Sequence, residues 1–364
     1  MLVQSPGDEK GRATIDVVKG ILILVVVAGH NEAITHNWLW LRHVFYYFNV
    51  QCFFLLSSLL DVQPFAWPMI RDRAVRYLVP YAWFLLITWG AFVALRHGAA
   101  APGPAVTALA RAAVTGSEPT IHVATGMRYL WFLPALFSLV VLKSIASRSP
   151  AVGRMLFATS LVWIAGASFV PEAILAALPL GLGTALFFFG LGEVLRMALA
   201  RVPERHRAVV SAAAVITTGI ATRAIVAVPL EWVAGADVAS YDIRDPVTWG
   251  VALLYPCAML LTLVAAAERL PAAGVLREFG RLSLPIYLVH MLIYRCLTLA
   301  IYGRKFDQLH VVGENLPVGI GIFIATVAAS LGLSMLIWRL PRLKAAIFPR
   351  TWAEWPLSRA AGSS

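Results

Sequence analysis

A chain of 364 residues that is 60% hydrophobic and only 13% charged, with a mean hydropathy of +0.76, is excluded from the water-soluble class, because a soluble domain of that size needs a polar exterior. Apolar runs long enough to cross a bilayer recur along the whole length, so the chain reads as an all-α, polytopic integral membrane protein. The formal charge of +11 belongs to membrane topology rather than to a nucleic-acid partner, as the placement of the basic residues shows.

Residues 1–13 read as a polar amino-terminal segment. The first span, 14–34, follows Lys10 and Arg12, and no small-residue cleavage site comes after it, so it is read as a retained span rather than a signal peptide. It carries Lys19 and His30 in KGILILVVVAGH. An eleven-residue helical step rises about 16 Å, roughly half of a bilayer's hydrocarbon core. A cation low on a membrane helix and a histidine high on it are each costly, and each is a candidate functional group. A snorkelling lysine and a packed histidine are the other reading. Asp16, three residues before Lys19, is placed to pair with it. Glu32 is too close to His30 in sequence to share its helix face.

The second span, 41–60, ends in FNVQCFFLLSS, residues 48–58. Asn49 and Gln51 interrupt an apolar run and must face protein or a cavity. The paired phenylalanines and the serines Ser57 and Ser58 suit close packing against another span. The third span, 76–96, is entered through RDRAVRYLVPY, residues 71–81. Arg73 and Arg76 are three apart and share a face, and Pro80 is expected to kink the helix. Forked guanidiniums there either anchor the inside loop or grip the phosphates of a cytoplasmic cofactor.

The outer connection 97–127 is the longest in the chain and is expected to be functional or mobile. The fourth span, 128–146, opens with YLWFLPAL, which contains Trp131. Further spans are expected at 152–170, 173–194, 208–228 and 247–267. The ninth, 282–302, is entered through GRLSLPIYLVH, residues 280–290, where Ser283, Tyr287 and His290 fall on related faces. The tenth is 317–338, and 341–364 is read as a tail. Cys52, Cys257 and Cys296 are isolated within apolar runs and suggest neither a disulfide framework nor a metal site. No internal repeat is visible. Placing the amino terminus inside puts most of the 30 basic residues in inside segments, so both termini are expected to be cytoplasmic.

Taken in order, IDVVKGILILVVVAGH, FFLLSS, RAVRYLVPY, YLWFLPAL and GRLSLPIYLVH resemble the membrane acyltransferase-3 family, over a domain spanning 14–340. The resemblance implies a polytopic O-acyltransferase of the bacterial inner membrane, similar to exopolysaccharide O-acetyltransferases. Such a protein moves an acetyl group from cytoplasmic acetyl-CoA to a sugar hydroxyl of an exopolysaccharide or its lipid-linked precursor. It implies acyl-CoA, an envelope glycan and the bilayer as partners, and no metal. Lys19 and His30 match the family's basic-x10-histidine motif, which makes His30 the catalytic group. Arg73 and Arg76 match its paired arginines, which handle acyl-CoA together with Lys19. Asp16, Asn49, Ser57, Trp131, Tyr287 and His290 are supporting candidates. The chain departs from the family pattern at Asn49 (commonly histidine), Gln51 (commonly proline) and Ser58 (often glycine).

A neutral imidazole can take a proton from a sugar hydroxyl attacking a thioester, or can itself become acylated. Both routes stay open for His30. The outer connection 97–127 and an acidic stretch with Glu231, Asp237, Asp242 and Asp245 are the expected lips of an acceptor site, suited to a neutral or weakly charged glycan. The alternative is a polysaccharide-precursor flippase or transporter that uses Lys19, His30 and His290 as a relay. A non-catalytic assembly protein is a third reading.

Overall fold

A computed structural model of the chain describes residues 9–60, 65–95, 102–166, 178–226, 246–270, 274–303 and 316–356. The structure is helical, with no strand among the described residues. The helices are α1 (Glu9–Gly29), α2 (Glu32–Asn37), α3 (Leu39–Leu59), α4 (Trp67–Leu95), α5 (Pro102–Thr115), α6 (Glu118–Thr125), α7 (Phe132–Ala146), α8 (Pro150–Gly166), α9 (Leu182–Ala200), α10 (Arg207–Val226), α11 (Pro246–Arg269), α12 (Gly274–Arg281), α13 (Ser283–Tyr302), α14 (Leu316–Arg339) and α15 (Pro341–Ile347). Helices satisfy their backbone polar groups internally, which lipid demands. Several prolines fall in first turns, where a missing N–H costs nothing; Pro68, Pro102, Pro150 and Pro246 do so here.

Among the described residues, five helical segments are long and apolar enough to cross a membrane: Trp67–Ala94, Tyr129–Ala146, Pro179–Ala200, Ser283–Tyr302 and Leu316–Arg339. Val44–Leu59 and Pro150–Gly166 are shorter apolar helices. The chain is a multi-pass membrane protein. The expected third span is part of a longer helix, since α4 starts at Trp67 and carries Arg71, Arg73 and Arg76 within its first turns, with Pro80 inside it. Parts of the expected spans 152–170, 173–194 and 208–228 lie outside the described residues, as do Glu231, Asp237, Asp242 and Asp245.

α1 is the axis of the bundle. Val18, Leu22, Ile23 and Val26 on it are fully buried, and it packs against α3, α11, α12 and α13. Its closest crossing is with α12, and glycine makes that possible. A Cβ on Gly20 would strike the carbonyl of Leu276, and one on Gly280 would strike the carbonyl of Asp16. Small residues of this kind let helix backbones approach closely in membranes.

The connection 97–127 is built differently from a loop. Its described part folds into α5 and α6, which lie against each other and against α4. Trp89 donates to the carbonyl of Ala105 at 3.2 Å, and Tyr81, midway along α4, donates to the carbonyl of Ala112 at 2.7 Å. α5 therefore runs antiparallel down α4 to about its middle. The chain reverses at Gly116, whose φ of +60° suits glycine, and α6 climbs back. Gly126 then lies against Phe92, near the far end of α4. The hydroxyls of Thr115, Ser117 and Thr120 bond one another at the tip, at 2.6 Å for Thr115–Thr120 and 2.9 Å for Ser117–Thr120. The result is a helical hairpin folded back along α4.

The segment after α14 also packs. Phe348 lies between Trp338 and Phe84, with centroids 5.7 and 6.2 Å away. Trp83 donates to the carbonyl of Ala346 at 3.1 Å. The N–H of Trp352 donates to Asp72 Oδ1 at 2.8 Å, and the Arg71 guanidinium lies 5.3 Å from the centre of the Trp352 ring. The expected tail is thus a strap across the arginine-bearing end of α4, as far as residue 356; residues 357–364 lie outside the described part.

Candidate active site

α1 ends at Gly29, and His30 and Asn31 form the break before α2. Asn31 fixes that break from both sides. Its Oδ1 caps α2 by accepting from Ile34 N at 3.0 Å, and its Nδ2 donates to the carbonyl of Gly319 on α14 at 3.0 Å. His30 is thereby held at the end of a buried helix, half-buried itself.

The His30 ring is oriented by its own helix, because Nδ1 lies 2.8 Å from the carbonyl oxygen of Val26. A carbonyl only accepts, so Nδ1 carries the proton and Nε2 holds a lone pair. His290 has the same arrangement, with Nδ1 at 2.6 Å from the carbonyl of Tyr287. It is fully buried, however, and its Nε2 has no hydrogen-bond partner among the described residues. The two rings meet edge to face with centroids 5.2 Å apart.

A pair of tyrosines frames the histidines. Tyr129, just ahead of α7, donates to the carbonyl of Leu288 at 3.0 Å, and the hydroxyl of Tyr287 donates back to the carbonyl of Tyr129. Their rings flank His290 at 5.7 and 5.9 Å. This reciprocal clasp fixes the start of α7 against α13. Tyr46 lies 6.5 Å from His30. Asn49, buried on α3, has its Nδ2 within 3.5 Å of where a Cβ on Gly29 would stand. Gln51 donates to the carbonyl of Tyr46 at 2.7 Å. Arg295, five residues past His290 on α13, brings a positive charge within electrostatic reach of both His30 and His122. At the rim, Arg128 pairs with Glu118 at 3.1 Å.

The other sequence-derived candidates fall into separate groups. Lys19 is paired with Asp16 at 2.7 Å on α1, beside the crossing with α12. Arg73 is half-buried and Arg76 exposed on α4, a helix that packs on α6 and α7; Arg76 lies over the ring of Tyr77 at 5.7 Å. Trp131 stacks on Phe54 at 5.8 Å, and Phe54 on Phe188 at 4.9 Å. It belongs to an aromatic column joining α3, α7 and α9. Ser57 takes part through its backbone, its carbonyl accepting from Lys143 Nζ at 3.1 Å. The structure thus brings together His30, His290, Tyr287 and Asn49, and sets Lys19–Asp16, Arg73–Arg76 and Ser57–Trp131 elsewhere.

Tyr129, Asn31, Arg295 and Lys143 were not singled out from the sequence. Two of them left a signal. Asn31 follows the histidine at a helix break, where Asn is a preferred cap, and Lys143 is a cation inside an apolar span. Among the described residues no group of His, Cys, Asp and Glu could hold a metal ion.

The arrangement offers one half-buried imidazole with its lone pair on Nε2, backed by a fully buried one, at the end of a long buried helix. That suits proton removal from, or acyl capture by, a group arriving at Nε2. Residues 12–339 match the family described as an acyltransferase domain (Acyl_transf_3). No curated protein and no solved structure matches the chain.

Proposed function

The chain belongs to the acyltransferase-3 family and is an acyltransferase, and from that premise we propose that it is an O-acetyltransferase of the bacterial inner membrane. In this reading it carries acetyl from cytoplasmic acetyl-CoA to a sugar hydroxyl of an exopolysaccharide or its lipid-linked precursor. Residues 14–340 form its catalytic domain, and both termini are cytoplasmic. The observation that supports the reading most is the state of His30: half-buried at the end of α1 and oriented through Nδ1 by Val26, which leaves the lone pair on Nε2.

Acetyl-CoA carries its phosphates at one end and its thioester at the end of a flexible arm. Arg73 and Arg76, on the basic end of α4, are the phosphate-binding groups of this proposal, since guanidinium forks bind phosphate well. The arm then reaches along the bundle toward His30. As general base, His30 Nε2 takes the proton of the sugar hydroxyl while its oxygen attacks the thioester carbon. The carbon–sulfur bond then breaks and CoA leaves as the thiol, the proton passing to sulfur. As nucleophile, Nε2 attacks the thioester carbon, the carbon–sulfur bond breaks and CoA leaves as the thiol with the Nδ1 proton. The sugar oxygen then attacks the acetyl carbon, the bond to Nε2 breaks, and the hydroxyl proton returns to the imidazole. The Lys19–Asp16 pair, about 16 Å down the helix from His30, is assigned to positioning α1 and to the approach of the donor. Arg295 and the α5–α6 hairpin border the side from which the acceptor enters.

The test is mass analysis of surface glycans from cells with and without the gene. Loss of O-acetyl esters on an unchanged sugar backbone supports the reading. Disappearance of the polymer from the surface, with its precursor accumulating inside, replaces it by the flippase.

A further inference from the structure

α14 carries its polarity on the inside. Its outward faces are apolar, with Ile324 60% and Leu336 53% exposed, as suits a helix against lipid. Its buried line includes Thr326, Ser330 and Ser334, each about one helical turn from the next. Thr326 is 1% exposed, and both serines are fully buried. None of the three hydroxyls has a hydrogen-bond partner among the described residues. Buried hydroxyls elsewhere in the bundle turn back to a carbonyl of their own helix, as Thr88, Ser144 and Thr298 do at 2.6, 2.9 and 2.7 Å. Others between membrane helices bond across the interface. These three do neither, and a buried polar group without a partner is costly.

The line leads to the histidines. Asn31, next to His30, donates to the carbonyl of Gly319 on the same buried line. Thr326 lies about 10 Å along α14 from that tie, and Ser334 about 22 Å. Tyr294 of α13 and Ile322 of α14 form one buried cluster. One turn on from each, away from the connection between the two helices, stand His290 and Thr326. His290 Nε2 is a fourth buried polar atom without a partner among the described residues. At the other end, Trp338 follows Ser334 by one turn and packs on Phe348, which also meets Phe84 of α4. The hydroxyls thus run from the side of the bundle that borders the arginine-bearing helix up to the level of the histidines.

We propose that the pantetheine arm of the acyl donor lies along this line of α14, its amides and hydroxyl bonded to Ser334, Ser330 and Thr326, so that its thioester reaches His30. The inference rests on the donor reading above and adds the route that the donor takes. The arm is a slender chain with two amides and one hydroxyl, and serine and threonine hydroxyls both donate and accept. Side chains this small let such a chain pass close to the helix backbone. α14 is also the least buried of the five described spanning segments. It packs chiefly on α13, α2, α15 and α1, and lipid borders the rest, so it is the wall that moves aside to admit the arm.

The test uses full-length protein in detergent and the triple variant Thr326→Val, Ser330→Ala, Ser334→Ala, which removes the hydroxyls and little volume. Titration calorimetry with coenzyme A and with adenosine 3′,5′-bisphosphate separates the arm from the phosphates. The variant is expected to bind coenzyme A about tenfold more weakly or worse. It should bind the bisphosphate as the unsubstituted protein does, and melt at the same temperature or higher, since no hydrogen bond within the protein is lost. Should the triple variant fold poorly, each single variant is expected to weaken coenzyme A severalfold and leave the bisphosphate unchanged. Undiminished coenzyme A affinity overturns the inference and leaves the donor reading standing. Equal weakening of both ligands with a lower melting temperature also overturns it, because the hydroxyls would then serve the fold. Absence of coenzyme A binding by the unsubstituted protein overturns the donor reading itself, and this inference with it.

Discussion

His30 and His290 stand edge to face, 5.2 Å between ring centroids, and each turns its Nδ1 to a carbonyl of its own helix. The sequence presents them as equivalent intramembrane histidines, whereas burial separates them. His30 is half-buried, whereas His290 is fully buried between Tyr129 and Tyr287. A group that must meet a sugar hydroxyl needs access before it needs basicity.

That difference predicts two unlike variants. His30→Ala is expected to lower acetyl transfer by about 10²–10⁴ while leaving the melting temperature nearly unchanged. His290→Ala removes a buried, hydrogen-bonded ring and is expected to destabilise the protein by about 1–3 kcal/mol. Transfer assays paired with thermal melts read both. In the unsubstituted protein, transfer should fall toward acid as the His30 lone pair is protonated, and level off above its pKa. Full activity in a well-folded His30→Ala protein would move the chemistry to another group.

Arg73 and Arg76 are expected to govern donor binding. Replacing both with Gln should raise KM for acetyl-CoA and leave acceptor KM unchanged, with each lost charge-assisted bond costing about 1.5–3 kcal/mol. Steady-state kinetics with both substrates varied checks this. An unchanged donor KM would return the pair to the role of topology anchors.

Asp72 immediately precedes Arg73, and its carboxylate is engaged by the backbone N–H of Trp352. That bond ties the strap to the turn that leads into Arg73, with the Arg71 guanidinium lying over the Trp352 ring. Asp72→Ala frees the strap and is expected to raise donor KM severalfold, while Asp72→Asn keeps an oxygen that accepts from Trp352 and should restore most of it. If Asn behaves as Ala does, the carboxylate's charge matters and the strap does not.

The parts legible in the sequence were those carried by local chemistry. The Lys19–His30 step runs along α1 to the residue just past its end, Pro80 lies within α4, and GRLSLPIYLVH brings His290 and Tyr287 to one face of α13. What stayed hidden depends on distant partners. α5 is only 14 residues long, opens with Pro-Gly-Pro, and is too short to span. It reads as loop because its helicity rests on packing against Tyr81 and Trp89. Tyr129 looks like one more aromatic in an apolar run until the backbone of α13 is placed opposite it. Lys143 counts toward topology in the sequence, and only the fold shows it against the end of α3.

The crossing of α1 and α12 gives a last expectation, about stability and function together. At Gly280 an added methyl would run into the carbonyl of Asp16, and Asp16 is the residue that holds Lys19 at 2.7 Å. Backbone cannot yield as a flexible side chain does, so Gly280→Ala must part the helices. Overpacking of this kind costs about 1–3 kcal/mol, and the shift is transmitted along α1 toward His30. Gly250→Ala in α11 is the matched control, because nothing stands within 4 Å of its Cβ position. There alanine should be neutral or stabilise by up to about 1 kcal/mol through helix propensity alone. Melting temperatures and transfer rates of the two variants, measured side by side, decide the matter. Equal behaviour would mean that the close approach of α12 does not set the position of α1.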